Sequence, residues 1–474
     1  MHGNLYAGVA RIDITPAIGT TMLHPLRESA AVDIEQPLTA TVLVLASGDT
    51  KIALVGCDNI SFRGEYADQM RAWIGEKIGT PASHILINAS HSHAVPSMPG
   101  REMPNKPTEA HLTRYHEWLL DVIPGAAQWA NHELQPARLG AGKGAVQIGI
   151  NRREQLPDGT MILGENPDGP IDEDVGVLRV DDLDGKPIAL VVNYTCHPDC
   201  LGPKVPFFSP DYVGQARAAA EALTGVPMLF LQGAAGDIDP TSGIALQAKD
   251  SLEEIKRLGL QLGAEAAKVF AQIRTHRYRD QREIFASMSD GLPMWRYKDK
   301  TGPAISAMQV TTRRLIMPLH PYPSAETAQA ELQAWQEKLA KLEAKGASLP
   351  ERQLAERYVG WNIIRLQAIQ DQHKPEIELE LQVIRLNNIA FVAIPVEPFV
   401  EIGLNIKQQS PLTYTFVCGY SNGCMVYVPT AAAFEQGGYE VRSHINYMLP
   451  SGVTPAWAGI IEQAAVEMLN EMMN

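Results

Sequence analysis

Apolar residues recur in two rhythms along the 474-residue chain. The first is that of strands. Thr41–Leu45 and Lys51–Val55 are β-rich runs joined by Ala-Ser-Gly-Asp-Thr, which predicts a hairpin. Ile188–Tyr194 and Met228–Gln232 are unbroken apolar runs, as expected of strands covered on both faces. His84–Asn88, Ile377–Leu386 and Ile389–Val396 read as further strands. The second rhythm is helical. Over Glu65–Ile78, Met70, Trp73 and Ile74 are spaced for one face. His111–Ala130, Tyr212–Leu223 and Trp457–Met472 also read as helices. Strands alternating with helices predict an α/β fold: a mixed-sheet catalytic domain with helices on its faces.

Between about residues 275 and 376 the pattern changes to a helix-rich insertion. Ser324 is placed to cap a helix in which Leu332, Trp335, Leu339 and Leu342 recur at helical spacing. Gly346 ends it, and Glu351–Ile369 predicts a second helix. The pair reads as a helical hairpin inserted in, or covering, one catalytic domain that spans residues 1–474. The apolar spacing lasts too few heptads for a coiled coil.

Composition removes several classes. A formal charge of −14 argues against a nucleic-acid surface, which needs clustered Lys and Arg. No apolar run approaches the length of a membrane helix. The N-terminal MHGNLYAGVARIDITP lacks a basic region followed by an apolar one, so no secretory signal is read. Five scattered cysteines do not suggest a disulfide framework. A cytoplasmic, reducing location is expected; the oligomeric state is open.

Chemically loaded residues follow several strands. Asn88 precedes His91 and His93, Tyr194 precedes Cys196-His197-Pro198-Asp199, Gln232 precedes Gly233-Ala234-Ala235-Gly236-Asp237, and Val396 precedes Glu397. In open α/β sheets, sites form beyond the carboxyl ends of strands, so these groups are expected to converge. Two imidazoles and a carboxylate suit zinc. On an extended segment His91 and His93 would point to one side; on a bend only one would reach a metal. Spacing alone equally allows loop histidines that merely hydrogen-bond. Cys196-x3-Cys200 lacks the second thiol pair of a thiolate zinc site.

Six segments, in order, resemble the catalytic domain of the neutral/alkaline non-lysosomal ceramidase family. "NASHSHAVPSMPG" is similar to that family's "SATHTHSGPGG", and "GINRR" (Gly149–Arg153) to its "INRSP". "FSPDYVGQA" loosely resembles "SGDNKGYAS", and "LQGAAGDIDP" resembles "AQSNxGDxSPN". "AIPVEPFVEIG" resembles "GIPGEVTTMAG", and "GYSNGCMVYVPTAAAFEQGGYE" resembles "GLSNxYxxYxTTPEEYxxQxYE". The resemblance runs from the Gly8–Pro16 segment to the C-terminal helix.

What the resemblance implies is a zinc hydrolase of an N-acyl amide with a small-molecule or lipid-like substrate. It assigns zinc ligation to His91, His197, Glu397 and Tyr427. His93 would act on the attacking water, and Arg152 and Tyr439 would hold or polarise the scissile carbonyl. Zinc brings a bound water's pKa toward about 7, and the oxyanion formed on attack needs donors such as Arg152 and Tyr439. Asp58 and Asp237 also follow strands and would either orient ligating histidines or cap turns. Three departures qualify the resemblance. The serine of "AQSN" is Gly233 here, expected to leave space at a substrate-binding position. The second, immunoglobulin-like domain usual in the family is not expected, because the chain stops at Asn474 after its closing helix. The inserted hairpin is expected to reshape the mouth. An esterase, lactonase or sugar-directed hydrolase of a small polar substrate therefore stands as the alternative, and a non-enzymatic metal-containing binding protein as the third reading.

Overall fold

The computed structural model describes residues 4–23, 30–98, 109–202, 205–244, 247–287 and 290–473. Eight strands form a mixed sheet in the order Met228–Gln232, Pro187–Tyr194, Asp174–Asp182, Gln135–Ala145, Leu5–Asp13, Thr39–Ser47, Thr50–Cys57, Ile85–Ala89. The two outermost pairs are parallel and the inner ones antiparallel. A second sheet holds Met308–Pro318, Glu376–Leu386, Ile389–Ala393 and Tyr414–Cys418.

Strand alternation explains how the sheets stack. In Thr39–Ser47, Leu43 and Leu45 face one way and Val42 and Val44 the other, and all four are buried. Leu43, Leu45, Leu54 and Leu178 meet Ile384, Phe391 and Phe416 of the second sheet in one core. Val42, Val44 and Val55 pack under the helices Gly64–Ile78, Ala110–His132, Tyr212–Thr224 and Ala248–Gln272. The outer face of the second sheet lies under Val400–Gln409 and Ala456–Glu471. The fold is thus four layers: helices, sheet, sheet, helices. Both faces of the central strands are covered, which is why their sequences run apolar without a polar alternate.

The α/β reading stands, with three local corrections. The first hairpin turns on Gly48-Asp49 alone, with Ser47 opposite Thr50 and Gly48 at φ +56°. On Gly64–Ile78, Met70 and Ile74 are buried but Trp73 is 37% exposed. Arg71 lies on the covered side instead, donating to Ile85 O and Glu380. Within 275–376 the helical hairpin is present as Ala325–Ala344 and Leu349–Gln370. Ser324 Oγ accepts from Thr327 N at 3.1 Å, Gly346 takes φ +64°, and Trp335 stacks on Tyr358 at 4.0 Å. The region is not only helical, however. Met308–Pro318 pairs along the whole of Glu376–Leu386, and Arg277–Ser287 pairs with Asp290–Asp299 in a separate two-stranded ribbon. Their sequences carry Arg, Glu and Gln between apolar residues, and that masked the strand rhythm.

Asp58 is a structural joint rather than a partner of any histidine. Its carboxylate accepts from Arg217 Nη1 at 2.9 Å and Nη2 at 2.6 Å, and from Thr39 N at 2.8 Å. This bidentate pair fastens the Tyr212–Thr224 helix to the large sheet. Removing one partner of a buried pair strands the other charge, so Asp58→Ala should cost about 3–5 kcal/mol. A lowered urea midpoint, partly restored in Asp58→Ala/Arg217→Met, checks this; an unchanged midpoint would count against the joint.

Candidate metal centre

The loop after Ile85–Ala89 bends at once. His91 takes φ +68°, an unusual value for a non-glycine residue, and its N–H donates to Asn59 O at 2.8 Å. The bend turns the two rings apart: the His91 and His93 centroids are 5.1 Å apart and the planes cross at 75°. They are not two equivalent groups on one strand face. His91 is fully enclosed and its Nδ1 lies 2.6 Å from Ile60 O. A carbonyl only accepts, so Nδ1 carries the proton and the Nε2 lone pair faces inward. His197, just past Pro187–Tyr194, repeats the arrangement with Nδ1 3.2 Å from Ile238 O. Burial pushes the His91 imidazole down to about 4, so it is neutral at ordinary pH.

Both lone pairs face Glu397. Its Oε2 is 3.3 Å from His91 Nε2 and 3.6 Å from His197 Nε2. Its other oxygen accepts from the Tyr447 hydroxyl and from Cys424 Sγ at 3.4 Å. Oε2 is buried and has no hydrogen-bond donor. Tyr427 completes the ring, with its hydroxyl 3.3 Å from His197 Nε2. Glu397 and Tyr427 sit opposite each other in a short parallel bridge, so one backbone register delivers both oxygens. Burial and the Glu397 carboxylate raise the Tyr427 phenol well above its ordinary value.

Two nitrogen lone pairs and an uncompensated carboxylate oxygen thus converge in a buried space. Such a cluster is unfavourable on its own and is what a cation relieves. The donors are N, N, O and O, with each imidazole oriented by a backbone carbonyl, a set that fits zinc. His91, His93 and His197 also offer nitrogens within 4.8 Å of one another. His93 differs from the other two in its setting. Its Nδ1 is 3.0 Å from Asp199 Oδ2 and its side chain is 21% exposed toward the cavity.

That cavity, about 940 Å³, is lined by residues that include His91, His93, Asp199, Arg152, Tyr427 and Tyr439. Arg152 is buried between Glu440, at 2.9 Å from Nε, and Asp239, at 3.0 Å from Nη1. Its Nη2 is buried without a hydrogen-bond partner. Burial works against the charge, but Asp239, Tyr427 and Glu440 keep the guanidinium firmly cationic. The Tyr439 ring lies 5.7 Å from that of Tyr427. Gln353, Glu356 and Arg357 of the Leu349–Gln370 helix form part of the wall, so the inserted hairpin does shape the mouth.

Two sequence expectations take definite form. Of the two roles open to Asp237, orienting a histidine or capping a turn, its contacts are of the second kind. It accepts from Val400 N at 2.8 Å and Asn151 Nδ2 at 2.9 Å, and burial raises its carboxyl to about 7. It ties the loop to the start of the Val400–Gln409 helix. Gly233 does not leave space and is not among the cavity-lining residues. A Cβ there would lie 2.2 Å from Thr195 Oγ1 and 3.0 Å from Tyr194 O. Four contributors were not singled out from sequence: Asp199, Tyr447, Cys424 and Glu440. Asp199 had a signal, standing two residues after His197 beyond a strand. Tyr447 and Cys424 lie in loops and Glu440 opens a short 3-10 helix, none with a periodic mark.

No family model matches the sequence, and no curated protein matches it. Solved structures do. A ceramidase complexed with C2 superposes with a TM-score of 0.68 at 16% identity, over 99% of this chain and 75% of that one. The neutral ceramidase from Pseudomonas aeruginosa gives 0.67 at 18% identity, over 100% and 75%. The chain therefore has the fold of the neutral ceramidases.

The tight seat of Gly233 is testable. Gly233→Ser should destabilise the fold by about 1–3 kcal/mol through overpacking. Adding Thr195→Ala should recover part of the loss in a thermal melt; a Gly233→Ser melt equal to wild type would show that the loop yields.

Proposed function

We propose that the protein is a zinc-dependent hydrolase that cleaves the carbon–nitrogen bond of an N-acyl amide. The observation that carries this reading is the convergence of His91 Nε2, His197 Nε2 and the donorless Glu397 Oε2 in a buried cluster, two of whose residues, His91 and Tyr427, also line the cavity. His91, His197, Glu397 and Tyr427 would hold the metal. Zinc bound there supplies Lewis acidity and a water acidified toward about pH 7.

The remaining chemistry belongs to side chains of this chain. His93 Nε2 takes the proton of the attacking water and returns it to the departing nitrogen, while Asp199 holds the ring through Nδ1. Arg152 Nη2 offers a charged donor to the carbonyl oxygen as negative charge grows on it. Tyr439, at the cavity edge, offers a second. The ceramidase fold and the apolar wall residues Leu23, Ile60, Ile150 and Leu163 support an N-acyl amphiphile as the substrate class. The polar side chains Gln353, Glu356 and Arg357 favour a second reading, a small polar amide or ester. A cytoplasmic setting is supported by five buried, unpaired cysteines, which suit a reducing compartment.

Elemental analysis should find one zinc per chain, and His91→Ala and Glu397→Gln should lose both metal and turnover. Full activity in exhaustively chelated, metal-free protein would overturn the proposal. Within it, a panel of long-chain ceramides, short N-acyl amides and short esters separates the two substrate readings. His93→Ala should keep its zinc and lose about 10²–10⁴-fold in kcat, the usual span for a removed acid–base group. Unchanged kcat would remove His93 from that role.

A further inference from the structure

The ribbon formed by Arg277–Ser287 and Asp290–Asp299 stands apart from both large sheets. Its register pairs Arg277 with Asp299 at the base and Phe285 with Leu292 toward the tip. Ile284, Phe285, Leu292, Met294, Trp295 and Tyr297 are all between 43% and 59% exposed. Alternation along the register puts Phe285, Leu292 and Met294 on one face and Ile284, Pro293 and Trp295 on the other. Both faces are apolar, so the ribbon is not a flap laid on its own body. A two-stranded hairpin alone is marginal in water, and both outer edges of this one are unpaired among the described residues. It is built to be covered.

Charge indicates by what. Residues 274–300 hold seven basic side chains (Arg274, Arg277, Arg279, Arg282, Arg296, Lys298, Lys300) and four acidic ones, a net of +3. The whole chain is −14, which leaves −17 on the rest. The ribbon proper is close to neutral at +1, with Arg277 and Arg296 paired internally, and Arg274 and Lys300 at its base make the whole arm basic against an acidic body, complementary to the surface of its own kind. An anionic bilayer would attract the arm but repel the body.

The arm's place in the fold agrees. Thr275 Oγ1 donates to Asp181, and Arg138 Nη2 donates to Lys300 O at 2.7 Å. Asp181 pairs with Pro187, where the Pro187–Tyr194 strand begins. His197 follows the other end of that strand. The arm thus leaves the sheet at the end opposite the candidate metal centre. A docked partner there leaves the cavity open, whereas a membrane there would lie on the wrong side to feed it.

We propose that this ribbon is an interchain arm whose occupant is a second copy of this chain, seated by apolar contact and by attraction to the acidic body. Light scattering coupled to size exclusion, with sedimentation velocity, should show the full chain as a dimer or a multiple of it rather than at 51.8 kDa. Raised salt should shift the equilibrium toward the monomer. Phe285→Glu/Trp295→Glu, at solvent-exposed positions, should raise the dissociation constant at least about 10-fold, as loss of aromatic anchors does. Its far-UV circular dichroism and zinc content should stay at wild-type values. A wild-type monomer at micromolar concentration, or a variant with unchanged assembly, would overturn the proposal. Arm-dependent co-sedimentation of a wild-type monomer with phosphatidylglycerol vesicles would overturn it in favour of a lipid surface.

Discussion

The structure turns on one buried carboxylate. Glu397 is completely enclosed, and one of its oxygens faces two imidazole lone pairs with no proton between them. Neither histidine can turn its N–H toward the carboxylate, because Ile60 O and Ile238 O have already claimed those protons. Without a cation the arrangement carries a desolvated charge and mutual lone-pair repulsion. The fold keeps it only because the donors are delivered by elements that are fixed elsewhere.

Those elements come from both sheets. His91 and His197 follow strands of the eight-stranded sheet; Glu397 follows a strand of the second sheet and is paired with the segment bearing Tyr427. The sheets are knitted just behind the site by buried amides. Asn88 Nδ2 donates to Gly419 O at 2.8 Å, and Asn193 Nδ2 to Val417 O at 3.1 Å. A side-chain amide in an otherwise apolar interface is costly unless satisfied, so these contacts specify one docking of the two sheets. A metal at Glu397 would add one more link across the same seam. Binding and sheet docking would then stabilise each other.

Sequence pattern revealed the parts that burial makes emphatic. Ile188–Tyr194 and Met228–Gln232 are apolar because both their faces are covered, and the polar residues that follow them stand out for the same reason. His91, His197 and Glu397 were legible in this way, as groups placed at strand ends. Tyr427 and Tyr439 were not, since a tyrosine in an apolar run looks like core until its neighbours are known; only the family resemblance pointed to them. Asp58 and Asp237 followed strands too, yet they hold a helix and a loop. Position marked them as near the site, but not what their oxygens accept. Gly233 was misjudged because a missing side chain reads as empty space, while Thr195 fills it. The ribbon escaped notice because its basic residues break the apolar rhythm that marks a strand.

This distribution separates chemistry from recognition. Arg152 lies within the Gly149–Gln155 strand and His93 four residues beyond Ile85–Ala89, where small displacements are resisted by close packing. The cavity wall is partly made by the Leu349–Gln370 helix, which reaches it through Arg357, bonded to Asn446 at 2.8 Å, and packs mainly against its own partner helix. The Ala328, Leu332, Val359 and Leu366 cluster is a small core of its own, distinct from the three that build the layers. Side chains along that helix can change without disturbing Glu397 or its histidines. Glu397, its two histidines and the carbonyls that orient them cannot. The fold itself is retained at below one-fifth identity, and a wall built on a separate small core is the part of it most free to vary.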